Sequence, residues 1–204
     1  MLKRIMIDKE QSLELIKIVI HGRGGQGAVT ACEILAEAAY LSGNFKDVQA
    51  YPSFGAERRG APIQAYAKLS RKNTIWDRSQ IYHPNVLIIF HESVLNKEIA
   101  SSLEEDGILI INTDKEPEEL IKTYQLHPTI KIVAADISKL ALEKNLTLDG
   151  NPVINTPILG LLSKAVPDLK LENLKKVIVD KLGEKIGGLN YTLIEEGYHL
   201  AKIA

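Results

Sequence analysis

Short apolar runs alternate along this chain with longer stretches in which apolar positions recur every three or four residues. Leu15 to Ile20 (LIKIVI) has the β-branched character of a strand, and the alanine-rich stretch from Ala28 to about Leu41 has the period of a helix. Val48 to Tyr51 predicts a second strand, followed by a loop through Pro52-Ser53-Phe54-Gly55-Ala56-Glu57-Arg58-Arg59-Gly60. Ile63 to Leu69 alternates only in part, which suits a strand at a sheet edge or one antiparallel to its neighbours.

Val86 to Phe90 (VLIIF) and Ile108 to Ile111 (ILII) are unbroken apolar runs, as expected of central strands covered on both faces. Glu92 to Leu103 predicts a crossover helix between them, with Asp106-Gly107 turning the chain back. Thr129 to Ala134 predicts another strand, and Asp136 an N-cap for a helix from Ile137 to Lys144. Past Gly150-Asn151-Pro152 the pattern turns helical, over about Pro157 to Ala165, Leu171 to Leu182 and Leu189 to Ala204. The fold expected is α/β: a three-layer α/β/α sandwich, Rossmann-like, with a mostly parallel sheet, an antiparallel strand and C-terminal helices. Residues 1–204 form a single domain in this reading, with 1–14 as an N-terminal extension.

Composition narrows the function classes. With 25 Lys plus Arg against 26 Asp plus Glu, the net charge of -1 gives no global footprint for nucleic acid or an anionic membrane. No uncharged apolar run reaches membrane-spanning length and the start lacks a cleavable leader, which predicts a cytoplasmic protein. A single cysteine, Cys32, cannot form an internal disulfide or supply the four thiolates of an ordinary iron–sulfur cluster. Inside a helix, Cys32 reads as a small core hydrophobe.

Between the first strand and helix stands Gly22-Arg23-Gly24-Gly25-Gln26-Gly27, with the G-x-G-x-x-G spacing at Gly22, Gly24 and Gly27. Such a loop brings backbone N–H groups and a helix N-terminus to a ligand anion, but a tight strand-to-helix turn needs glycine on steric grounds alone. The residues leave both readings open. A nicotinamide dinucleotide site also wants an acid at the end of the second strand; that place reads Ala50-Tyr51-Pro52-Ser53, and Asp47 lies at the wrong end. Arg23, Arg58 and Arg59 would gather at the carboxyl edge of the sheet, where a polyanion or a partner carboxylate would find planar forks of donors; the alternative is a solvated charge run neutralised in part by Glu57. His21 and His91 border the same edge, and no spacing predicts a metal site.

Taken together, KIVIHGRGGQG, its alanine-rich helix and YPSFGAERRGAPIQAYAKLS resemble the gamma subunit of 2-oxoacid:ferredoxin oxidoreductases; NVLIIFHESVL and VINTPILGLLSKA resemble later blocks of that family. Ala61-Pro62 after the arginines is similar to the members that serve pyruvate, with branched-chain oxoacid relatives close by. The resemblance implies a cytoplasmic complex of anaerobic metabolism that turns pyruvate, coenzyme A and oxidised ferredoxin into acetyl-coenzyme A, carbon dioxide and reduced ferredoxin. It implies alpha-, beta- and delta-type partner subunits holding thiamine diphosphate, Mg and iron–sulfur clusters, none bound by this chain alone. Ferredoxin is met through the complex, and the isolated subunit would hide its partner-facing surface by forming a homodimer. Coenzyme A contact is carried over to Gly22, Arg23, Gly24, Gly25, Gln26, Gly27, Ser53, Phe54, Gly55, Glu57, Arg58 and Arg59, with no catalytic residue and no metal ligand in this chain. The competing readings are a free-standing dinucleotide-dependent dehydrogenase and an interaction module whose glycine loop is only a turn.

Overall fold

The computed structural model describes residues 13–53 and 60–204. Its centre is a seven-stranded sheet built from β1 (Leu15–Arg23), β2 (Asp47–Pro52), β3 (Pro62–Ser70), β4 (Val86–Ile89), β5 (Ile108–Asn112), β6 (Lys131–Ala135) and, past a small hairpin, the terminal strand Lys202–Ile203. That hairpin pairs β7 (Thr147–Leu148) with β8 (Asn151–Pro152), so the terminal strand is β9. The order across the sheet is β2-β3-β1-β4-β5-β6-β9. β1, β2, β4, β5 and β6 run one way, while β3 and β9 run against them, so the expected mostly parallel sheet is observed.

The strands at the middle of the sheet bury one side in each of two cores. On the first face Ile18, Ile20, Ile88 and Ile110 meet α1 (Ala28–Leu41), α4 (Ile137–Glu143), α5 (Ile158–Ala165) and α6 (Leu171–Leu200). On the second, Val19, Leu87, Ile89 and Leu109 meet thinner cover: a 3-10 turn (Glu92–Val94), α2 (Lys97–Ser101), α3 (Pro117–Tyr124) and Ile81 from an irregular segment. The three layers are therefore unequal.

Several elements depart from the sequence expectation. β3 meets the antiparallel alternative of its two expected readings but not the edge one: it lies between β1 and β2, and β2 takes the edge. The crossover after β4 is a broken one: Leu95 is extended, and Asn96 restarts a helix by accepting from the Ile99 amide through Oδ1 at 2.8 Å. A short polar side chain that can cap competes with helix continuation, which is why Glu92 to Leu103 does not form one helix. α3 has no counterpart among the helices expected from the sequence, although Pro117 at its first turn, Glu118 and Glu119 after it and Lys122 in its last turn are all start and stop signals.

The last two expected helices join as α6, interrupted only at Gly183, whose φ of 76° and ψ of 165° are not helical. The corner there is sharp enough that a β-carbon on Gly187 would fall 2.8 Å from the Val179 Cα. Helix does not reach Ala204; instead Lys202 and Ile203 pair with Ala134 and Val133 of β6.

Candidate functional site

The polypeptide leaves β1 towards the first face, into α1, and leaves β4 towards the second, into the 3-10 turn. Because β1 and β4 are parallel neighbours, with His21 opposite Ile89, the chain diverges between them at the carboxyl edge. Such a divergence opens a crevice outside the strand ends, the place where open α/β sheets take ligands.

The glycine loop forms one lip of that crevice. Gly22 still belongs to β1; a β-carbon there would press to 3.2 Å against Gln26 Oε1 and Phe90 Cδ2. Gly25 and Gly27 adopt left-handed backbone, with φ of 92° and 76°. Within the loop the Arg23 amide donates to Gln26 Oε1 at 2.7 Å and the Gln26 amide returns to Arg23 O at 3.0 Å. Gly27 is the N-cap of α1, provides no side-chain cap, and no acidic residue occupies the first turn. The leading amides of α1 are thus left without a capping side chain or a competing carboxylate, a setting that favours an anion.

The start of β3 is laced to the same loop. Gly24 donates to Ala61 O at 2.8 Å, and Gly60 donates to Gly24 O at 3.0 Å. Arg23 spans the crevice, giving Nη1 to Gly60 O at 3.0 Å and Nη2 to Ser93 Oγ at 2.7 Å. Ser93 in turn sits 2.8 Å from His91 Nδ1. Beneath, His21 is 7% exposed, and burial pushes its imidazole down to about 4, so it is neutral at physiological pH.

The structure brings Gly22, Arg23, Gly24, Gly25, Gln26 and Gly27 to one edge, and Ser53, whose amide donates to Gln64 O at 3.0 Å, ends β2 at that edge as well. Phe54, Gly55, Glu57, Arg58 and Arg59 lie outside the described residues. Two contributors were not singled out by the sequence: Ser93, which receives Arg23, and Asn155, whose side chain packs on Gly27. The signal for Asn155 was its place in the VINTPILG block; Ser93 carried none beyond its nearness to His91.

The second-strand acid is disposed of by geometry. Asp47 lies at the start of β2, where its Oδ2 accepts from the Ile75 amide at 2.7 Å, and β3 separates β2 from β1. Among the described residues no acid stands at the end of β2 to hold a dinucleotide ribose. Cys32 is fully buried in α1, and burial raises its thiol far above the ordinary range, so it is a packing residue.

A crevice of about 340 Å³ opens elsewhere on the carboxyl edge, lined by Asp114, Lys115, Asp136, Lys139, Glu143 and Lys202 among others. Its cations are matched within the chain: Lys115 with Glu92, Lys202 with Glu116, and Lys139 with Glu143 at 4.0 Å. This crevice therefore has less to offer an anion than the glycine loop, where the leading amides of α1 have no capping side chain. Among the described residues no helix is long and apolar enough to cross a membrane, and no group of three or more His, Cys, Asp or Glu is placed to hold a metal.

Comparison with known proteins identifies the scaffold. Residues 17–200 match the family described as pyruvate ferredoxin/flavodoxin oxidoreductase. The chain is 39% identical over 190 residues to the "Pyruvate/ketoisovalerate oxidoreductases common subunit gamma" of Pyrococcus furiosus, covering 93% of this chain and 98% of that one. It is also 39% identical over 163 residues to the "Pyruvate synthase subunit PorC" of Methanosarcina barkeri, with 79% and 84% covered. The crystal structure of pyruvate oxidoreductase subunit PORC from Thermotoga maritima superposes with a TM-score of 0.79 at 32% identity, covering 94% of this chain and 99% of that chain. With nearly its whole length matched in sequence and in fold, the chain belongs to the pyruvate ferredoxin/flavodoxin oxidoreductase family.

Proposed function

We propose that this chain is the gamma subunit of a multi-subunit oxidoreductase that converts pyruvate, coenzyme A and oxidised ferredoxin into acetyl-coenzyme A, carbon dioxide and reduced ferredoxin. The observation that carries the reading is end-to-end likeness to proteins named as gamma subunits of that enzyme, with the strand, glycine loop and helix intact at the divergence of β1 and β4. In this reading residues 1–204 act as one gamma-type domain, met by alpha-, beta- and delta-type partners in the cytoplasm.

The redox chemistry belongs to those partners. One cysteine, sealed inside α1, does not fit an iron–sulfur cluster, and the sequence lacks a G-D-G…N pattern for thiamine diphosphate and Mg. What this chain offers is a carboxyl edge at which uncapped amides, Arg23 and the ends of the Ser53–Gly60 segment converge. Coenzyme A carries several phosphate charges, and these groups suit it. Gly22, Arg23, Gly24, Gly25, Gln26, Gly27 and Ser53 are the described residues of that contact; Phe54, Gly55, Glu57, Arg58 and Arg59 complete the set.

A second oxoacid is favoured by one specific observation: the Pyrococcus furiosus relative is named as a subunit common to pyruvate and ketoisovalerate oxidoreductases. This chain would then serve two catalytic partners with one edge.

Anaerobic affinity purification from the native host, with dye reduction dependent on oxoacid and coenzyme A, tests both readings. Recovery of thiamine-binding and cluster-bearing subunits, active with pyruvate, is the expected result; activity with ketoisovalerate in a second pool of complexes supports the shared role. Recovery of the chain alone, inactive with oxoacids and stabilised by NAD, would overturn both.

A further inference from the structure

Across the crevice, three side chains form a chain of hydrogen bonds that runs in one direction. Arg23 Nη2 donates to Ser93 Oγ at 2.7 Å, and a guanidinium has no acceptor to offer in return. Ser93 Oγ stands 2.8 Å from His91 Nδ1, and the Ser93 backbone amide also reaches that nitrogen at 3.1 Å. A backbone N–H can only donate, so Nδ1 is an acceptor. The single proton of the neutral ring then sits on Nε2. The ring is exposed, and among the described residues nothing is bonded to Nε2.

We propose that His91 is a further ligand-binding residue of this edge, presenting Nε2–H as an oriented donor to an oxygen of coenzyme A, with Ser93 as the positioning residue that fixes the ring and its tautomer. The relay begins at a guanidinium, and successive hydrogen bonds polarise one another, so the terminal N–H is a stronger donor than an isolated imidazole would give. It stands across from the uncapped amides of α1, so backbone dipole, guanidinium and imidazole all present donors to one crevice. An independent observation points the same way. His21 is on the same side of β1 as Arg23 and is more than nine-tenths buried, and although its backbone oxygen accepts from the Phe90 amide, its imidazole makes no hydrogen bond among the described residues, so the floor of the crevice also holds an unused polar side chain.

The inference rests on the reading that this edge meets coenzyme A, and three substitutions in the purified complex separate the two. Thr30→Asp places a carboxylate in the exposed first turn of α1, where it suits the helix but repels a bound anion; it should raise KM for coenzyme A about 2- to 5-fold. His91→Phe removes the donor and should raise that KM about 5- to 30-fold with kcat and the pyruvate KM little changed, as loss of one binding interaction requires. His91→Gln, which keeps an amide N–H near the Nε2 position, should recover most of the loss.

If Thr30→Asp weakens coenzyme A while His91→Phe stays within about twofold of wild type, the role of His91 is overturned and the edge reading survives. If neither variant moves KM, the edge reading itself fails. Loss of partner subunits from the His91→Phe complex would assign the donor to assembly and overturn its role toward the ligand.

Discussion

The Asn155 side chain occupies the space in which a β-carbon on Gly27 would stand, its Cγ only 3.0 Å from that position. Asn155 is anchored from the next residue, since Thr156 Oγ1 is bonded to Asn190 Oδ1 at 2.5 Å in the core of α6. The loop is thus fixed from beneath by a segment more than a hundred residues away. Gly27→Ala meets both this contact and a φ of 76°, and should cost about 3 kcal/mol. Adding Asn155→Ala should return the steric part and leave the backbone part. Denaturant titration of the single and double variants measures the split, and full additivity of the two losses would show the contact to be unimportant.

Two other glycines of the helical layer should respond in opposite ways. A β-carbon on Gly160 of α5 would collide with Ile194 O and come within 2.7 Å of Tyr198 N, because α5 and α6 cross backbone to backbone. Gly188, also in α6, has nothing within 4 Å of its virtual β-carbon. Gly160→Ala should destabilise by roughly 2–4 kcal/mol. Gly188→Ala should stabilise by about 0.5–1 kcal/mol, since alanine costs less entropy in a helix than glycine. Urea midpoints of the two variants compared with wild type check the contrast.

His21 makes stability depend on pH in a defined window. Its folded-state value, about 4, lies below the 6.5 of a free imidazole, so the unfolded chain binds a proton that the folded chain does not. Stability contributed this way is present above 6.5 and is lost as pH falls from there towards 4. By the usual conversion the loss approaches roughly 3 kcal/mol at its limit. His21→Leu should flatten the slope between pH 6.5 and 4 in thermal unfolding, while the carboxylate-driven loss at lower pH persists.

Lys68 tethers the segment that covers the second face near β2. Its ammonium is buried against the sheet and donates to Asp77 Oδ1 at 2.6 Å, while Gln49 and Tyr51 bond the backbone oxygens of Ile75 and Ser79. The hydrogen bond from Lys68 holds the Asp77 carboxyl far below the usual carboxylate range. Asp77→Asn leaves the Lys68 charge without its counter-ion and should loosen the segment. Faster tryptic cleavage at exposed Arg78 would report it. Trp76, 90% exposed on that segment, holds no part of the core, so Trp76→Ala should change unfolding free energy by less than about 0.5 kcal/mol.

What could be read from the residues was what local chemistry dictates. VLIIF and ILII can only be covered strands, and both stand at the middle of the sheet; the loop from Gly22 to Gly27 needed no more than a strand before it and an alanine-rich helix after it. Ser93 could not be found this way, because its meaning comes from Arg23, seventy residues distant. Neither could β9: Lys202 and Ile203 are a strand only because the edge of β6 is there to pair with them. The sequence predicts separate helices over Leu171 to Leu182 and Leu189 to Ala204, but the second begins almost at once because Gly183, with its positive φ, alone makes the corner. The order of strands was the largest gap, since nothing in IQAYAKL says that it will enter between two strands that precede it.

That insertion sets an order of events for a chain emerging from synthesis. β1 and β2 are complete by Pro52, yet they share no hydrogen bonds, for the space between them belongs to β3. Until Ser70 has been made, β2 has no strand to pair with and α1 has only half of its sheet to lie on. The first fifty residues, which contain the glycine loop, are therefore not an autonomous folding unit, and the crevice takes shape only when β3 and β4 close on either side of β1.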